Sequence, residues 1–204
     1  MTRNKIAVLL TTLLLCTLTA SAQEGLLGKA KRYIDSANGL QVEFELTMDG
    51  ETSQGAYYAL GEAFYLETDG LKAWHSDGSL WVYLSVNNEI SLTHPHREDL
   101  LELNPLLNLD RISDKTFTVT ETKAKGVTTV KAAPKEREEV EWIMLTVDTD
   151  GKPLSLRVKQ RSLEQPVMLK VTHLSLTTSE VMKQKDFFRY TQNKMPGVAV
   201  IDLR

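Results

Sequence analysis

The chain has 204 residues, a net charge of −3 at pH 7, 42% apolar and 7% aromatic residues, and one cysteine. That length can bury a core, and near-balanced charge at this apolar content excludes a disordered polymer. No concentrated basic face is available for nucleic acid, and no apolar run is long enough for a membrane-spanning helix.

Arg3 and Lys5 precede an apolar run from Ile6 to Leu15, and Ala20-Ser21-Ala22 then offers small residues where a signal peptidase reads. That order predicts an export leader over 1–22 and a single domain over 23–204, placed in the periplasm. Cys16 follows Leu13-Leu14-Leu15 rather than the small residue a lipid-modified cysteine requires, so it reads as part of the leader. A mature chain without cysteine has no disulfide, no thiol nucleophile and no Cys-ligated zinc.

Leu26, Leu27, Ala30, Tyr33, Ile34 and Ala37 recur at three- and four-residue spacing, which predicts an amphipathic helix ended by Asn38-Gly39. From Leu40 the period becomes two: Leu40, Val42, Phe44, Leu46 and Met48 alternate with Gln41, Glu43, Glu45 and Thr47. Strand-like runs follow at 54–60, 63–68, 71–76, 79–86 and 89–94, separated by Asp49-Gly50, Gly61-Glu62, Asp69-Gly70, Asp77-Gly78 and Asn87-Asn88. Such pairs tolerate positive φ, as tight hairpin turns require, so this is an antiparallel meander. Leu100, Leu101, Leu103, Leu106, Leu107 and Leu109 then predict one or two short helices around Pro105. Further strands are expected at 116–123, 127–133, 142–148, 154–161 and 167–177, with a last short one at 198–203; 180–185 is ambiguous. The resulting reading is one domain, mainly β with some α: a large antiparallel sheet with a helix in front and a Leu-rich helical insert, packed either as a sandwich-like core or as a curved sheet with helices as a lid.

Catalytic signatures are missing. No nucleophile elbow, phosphate loop, dinucleotide fingerprint or zinc-protease motif occurs, so neither an enzyme nor a cofactor is expected. His94-Pro95-His96, with His75, Asp77, Glu98 and Asp99 nearby, offers two alternating histidines but no clearly placed third metal ligand. A hydrolase built on His94 and His96 would lose activity on His96→Ala or chelation. The apolar residues say more: Ala63–Leu66, Leu80–Leu84 and Trp142–Leu145 are apolar on both sides of a strand, and such strands must be covered on both sides.

Ser76-Asp77-Gly78-Ser79-Leu80-Trp81-Val82-Tyr83 resembles a segment of the periplasmic outer-membrane lipoprotein carriers, the LolA-like family. Gln41–Glu45, Gly55, Asn104-Pro105-Leu106-Leu107, Trp142–Asp150 and Gly197–Asp202 are similar to further family segments in the same order. The resemblance implies a single curved antiparallel sheet, an unclosed barrel, covered by an N-terminal helix and a short helical lid. It also implies a carrier that takes acylated lipoproteins from an inner-membrane lipoprotein-releasing ABC transporter, shields their acyl chains and delivers them to an outer-membrane acceptor. It would act as a monomer without nucleic acid. On that reading Phe44, Leu46, Tyr58, Phe64 and Leu66 line an apolar cavity with Trp74, Trp81, Tyr83, Trp142 and Met144. Leu100, Leu101, Leu103, Leu106 and Leu107 form its lid. Where carriers of that family place Arg-Pro near the end of the second strand, this chain reads Leu60-Gly61, so their arginine latch does not carry over. The same fold could also serve a sensor of lipids or lipoproteins in a stable partner complex, or a carrier of another lipid.

Overall fold

The computed structural model describes residues 30, 33–34, 37–96, 100 and 116–204. Twelve strands build one sheet: β1 (Leu40–Met48), β2 (Glu51–Leu60), β3 (Ala63–Thr68), β4 (Leu71–Ser76), β5 (Ser79–Leu84), β6 (Glu89–Thr93), β7 (Phe117–Ala124), β8 (Val127–Pro134), β9 (Val140–Val147), β10 (Pro153–Gln160), β11 (Val167–Ser175) and β12 (Ala199–Asp202). Their spatial order is β12-β6-β5-β4-β3-β2-β1-β11-β10-β9-β8-β7, with β12 and β7 at the two edges of an open sheet. Each strand-like run of the sequence lies on one of these strands. Asp49-Gly50 and Asp77-Gly78 turn with φ of 52° and 81°, and of 50° and 69°, the two consecutive positive values that match hairpin twist.

The expected fold class is corrected in its remaining parts. The sheet is not wholly antiparallel, because β12 runs parallel to β6. Among the described residues there is no N-terminal helix and no helical lid. Helical backbone is described only at Ala30, Tyr33, Ile34 and Leu100, with a three-residue 3-10 turn at Gln192–Lys194. The physical reason is that three- and four-residue spacing registers side chains needing burial, not the backbone that buries them. Ala30 belongs to the β7–β10 core, and Leu100 packs on the β1–β5 core. The leader at 1–22 and Leu26, Leu27, Glu98, Asp99, Leu101, Leu103, Leu106, Leu107 and Leu109 lie outside the described residues.

Register assigns every strand residue to a face. Phe44 lies opposite Gly55, Tyr57 opposite Leu66, Leu66 opposite Ala73 and Ala73 opposite Val82, so these share one side. Across β11 and β10 the same side continues through Leu46–Leu169, Leu169–Leu156, Leu156–Leu145 and Leu145–Val130. The chain thus presents one apolar face running the width of the sheet. Two clusters fill it: Leu40, Phe44, Leu46, Tyr57, Phe64, Leu66, Leu71 and Leu80 in one half, and Phe117, Val130, Ile143, Leu145, Val147, Leu156 and Val158 in the other. Leu169 packs against both and joins them. Gly55 permits the closest approach, since a Cβ there would collide with the Phe44 ring.

A third cluster occupies the opposite face. Trp74, Trp81, Ile90 and Leu92 are covered by Tyr190, with Tyr65, Tyr83, Met195 and Val198 around them. Residues 176–198 descend over it in successive turns, closed by backbone hydrogen bonds from Met182 to Ser179, Phe187 to Gln184 and Arg189 to Asp186. This coiled segment covers the second side of strands that are apolar on both sides, a task the spacing of the apolar residues suggests for a helix.

Candidate functional site

The ten residues expected to line one cavity fall into three places. Phe44, Leu46, Phe64 and Leu66 stand together on the apolar face, each at most 3% exposed. Tyr58, Trp74, Trp81 and Tyr83 stand on the opposite face near the C-terminal segment; Trp74, Trp81 and Tyr83 belong to or border the cluster there. Trp142 and Met144 lie on that same opposite face but in the far half of the sheet, facing Lys159 and Arg157 across β10. Trp142 is half-buried with the Lys131 ammonium 5.4 Å from its ring centre, a cation–π contact rather than an apolar lining. Of the expected lid, Leu100 alone is described; it is half-buried against the apolar face.

Two aromatic ladders cross β2, β3 and β4, one on each face. On the apolar face Tyr57 stacks on Phe64 at 5.9 Å, and Phe64 on His75 at 5.3 Å. On the other, Tyr58 stacks on Tyr65 at 6.2 Å, and Tyr65 on Trp74 at 5.3 Å. Phe187 sets its edge against both Tyr58 and Tyr65, and Tyr190 tilts over Trp74. Sequence reading missed Tyr57, Phe187 and Tyr190. Tyr57 was within reach: a two-residue turn at Asp49-Gly50 pairs Met48 with Glu51 and therefore Val42 with Tyr57, on the apolar side. Phe187 and Tyr190 sit in irregular backbone where no period operates.

Along β1 to β4 charged groups gather on the second face. A groove of 580 Å³ runs along Glu43, Gln54, Gly55, Ala56, Tyr58, Glu67, Thr68, Asp69, Lys72 and Thr172. A neighbouring pocket of 230 Å³ is walled by Tyr65, Trp74, Phe187 and Met195 with Lys72 and Lys194 at its rim. Between them Lys72 pairs with Glu67, which also accepts the Tyr65 hydroxyl at 2.6 Å. Burial pushes the Glu67 carboxyl up, but the hydrogen bonds from Lys72 and Tyr65 together outweigh it and hold the carboxyl below its ordinary range. The Tyr65 phenol is driven well up by burial, with the adjacent Glu67 adding to it. Lys194 donates to the carbonyls of Asp186 at 2.6 Å, Phe187 at 3.0 Å and Arg189 at 2.8 Å, and lies 5.7 Å from the Trp74 ring centre. Desolvation lowers its pKa, with Asp186 opposing. This ammonium ties the turn over the aromatic ladder to the 3-10 turn that follows.

The histidines do not converge. His75 is buried on the apolar face, where its Nδ1 donates to the Glu62 carbonyl at 2.9 Å. His94 donates to the Gly78 carbonyl at 3.1 Å. No group of three metal-ligating side chains comes together among the described residues. Nor is any helix among them long and apolar enough to cross a membrane. Leu60-Gly61 ends β2 and opens the β2–β3 turn with Gly61 at φ 59°, a value the fixed ring of proline cannot adopt. Proline is therefore excluded at this turn position.

No protein-family model matches the chain, and no curated protein matches it. Among solved structures, an uncharacterized conserved protein from Thermus thermophilus aligns with 87% of this chain and 96% of its own, with a TM-score of 0.55 at 13% identity. A chain of the Pseudomonas aeruginosa MucA/MucB complex aligns with 78% of this chain and 59% of its own, with a TM-score of 0.48 at 15% identity. A DUF1329 family protein from Desulfovibrio piger aligns with 80% of this chain and 98% of its own, with a TM-score of 0.43 at 13% identity. At such identities likeness is one of fold, and the Thermus protein is a match of that kind across nearly the whole of both chains.

Proposed function

We propose that this protein is a non-catalytic periplasmic carrier that shields the acyl chains of lipoproteins between an inner-membrane releasing transporter and an outer-membrane acceptor. The observation that carries the reading is the apolar face running unbroken across the sheet from β5 to β8, in one open sheet rather than a closed barrel. Each buried methylene contributes about 0.8 kcal/mol, so a sixteen-carbon chain resists leaving a bilayer by on the order of 12 kcal/mol. A carrier must offer comparable apolar surface, and a broad, non-directional sheet face suits a flexible hydrocarbon. The ordered resemblance of Gln41–Glu45, Ser76–Tyr83 and Gly197–Asp202 to the lipoprotein carriers supports the same reading, as does the leader-like N-terminus.

The test is release of palmitate-labelled lipoprotein from spheroplasts by the purified protein. Label is expected to co-elute with the protein and to be lost in Leu66→Glu, with circular dichroism checking that the variant remains folded. Absence of release, from spheroplasts whose transporter serves a control carrier, removes the lipoprotein-carrier reading. A stable complex with a partner protein in its place would make the fold a sensor.

A further inference from the structure

The apolar face holds two hydroxyls with nothing to bond. Tyr57 is 2% exposed and Thr68 6%, and neither Tyr57 Oη nor Thr68 Oγ1 has a hydrogen-bond partner. Buried polar groups are paired in the large majority of cases, and an orphaned hydroxyl in an apolar setting calls for an explanation. Tyr190, the other buried tyrosine, reaches Gln192 at 3.4 Å. Tyr57 has only the ring of Phe64, and burial drives its phenol far up. Register puts Tyr57 opposite Leu66 and Thr68 opposite Gly55, so the two are diagonal neighbours on adjacent strands, about 7–8 Å apart at the backbone.

The geometry points to Tyr57 and Thr68 as the polar contacts of an acylated ligand, donating to the ester or amide carbonyls that join its chains to its head. This rests on the carrier reading and deepens it. The rest of that side of β1 to β4 is mostly hydrocarbon or aromatic, Phe44, Leu46, Phe64 and Leu66 among it, and its one buried imidazole, His75, is already paired with the Glu62 carbonyl. A ligand seated there is therefore mostly hydrocarbon, with a small acceptor at one depth. Carbonyls of an acyl linkage meet that description; a bare hydrocarbon leaves both hydroxyls unpaired. Because both are buried, binding displaces side chains packed over them and exchanges that packing for chain contacts plus two hydrogen bonds.

The probes are dioctanoyl phosphatidylcholine and its diether analogue, with the same headgroup and no carbonyls, each below its micellar concentration and measured by calorimetry. The wild-type protein binds the ester more tightly. Tyr57→Phe and Thr68→Val each weaken ester binding roughly three- to tenfold and leave ether binding unchanged. Neither variant loses melting temperature, since each removes an unpaired group while keeping its shape. Equal binding of ester and ether by the wild type, or an ester preference that survives both substitutions, overturns the assignment and makes the pair a site for buried water. Failure of both lipids to bind overturns the assignment, and joined by no release from spheroplasts it overturns the carrier reading as well.

Discussion

Three strands, β2 to β4, carry an aromatic ladder on each face, and the two ladders live in different chemistry. Tyr57–Phe64–His75 is sealed: all three are at most 5% exposed, and only the His75 ring has a polar partner. Tyr58–Tyr65–Trp74 is built with handles, through Tyr65 to Glu67 and through Trp74 to Lys194, and it lies beneath irregular backbone. One ladder is part of a core with few polar atoms and no charged side chain among them. The other is an attachment site for the chain's own C-terminal segment. Aromatic content alone does not distinguish a ligand surface from a docking surface; the partners of the polar atoms do.

The largest break in this comparison is Phe64→Ala. Phe64 is fully buried between Tyr57 and His75, so the cavity left behind costs about 3–5 kcal/mol, read as a drop in the urea midpoint of global unfolding. A smaller and local effect is expected of Lys194→Met. That variant removes a donor from three carbonyls, of which Asp186 keeps the Arg189 N–H, costing about 1 kcal/mol, and it speeds proteolysis within 176–198 while the global midpoint barely moves. A global loss from Lys194→Met as large as that from Phe64→Ala would end the distinction between core and docked segment.

The smallest effect concerns the edge strand β12. Hydrogen bonds from Arg204 hold the Asp202 carboxyl down to about 2. The folded value lies below the ordinary carboxylate value of about 4, so this contribution is complete above pH ~4 and is lost as pH falls towards 2. Titration of the Asp202 carboxyl by NMR should show the low midpoint, and Arg204→Gln should raise it only part of the way, since the backbone N–H of residue 204 still donates to the carboxylate. Exposure of both groups limits what the pair adds to stability.

Much of this architecture is legible in the amino-acid order because hairpins are local. Two-residue turns at Asp49-Gly50 and Asp77-Gly78 set register, and register with alternation separates the faces. Carried through, alternation with the register of the Asp69-Gly70 turn splits the expected cavity: Phe64 stands opposite His75 and Trp74 opposite Tyr65, so Phe64 and Trp74 do not share a face. Trp142 and Met144 join that expected cavity only through aromatic and apolar character, which carries no information about side.

The amino-acid sequence by itself determined the strands, their turns, and the alternation that makes one face apolar, because each depends on residues within a few positions of one another. Only the tertiary structure decided how that face is continued and what lies on its back. The β1–β11 pairing joins residues more than a hundred positions apart and fuses two half-sheets through Leu169. Phe187, Tyr190 and Lys194 find Trp74 through turns that have no period to read. Long-range pairing is selected by total burial, a property of the whole chain, and no local pattern encodes it.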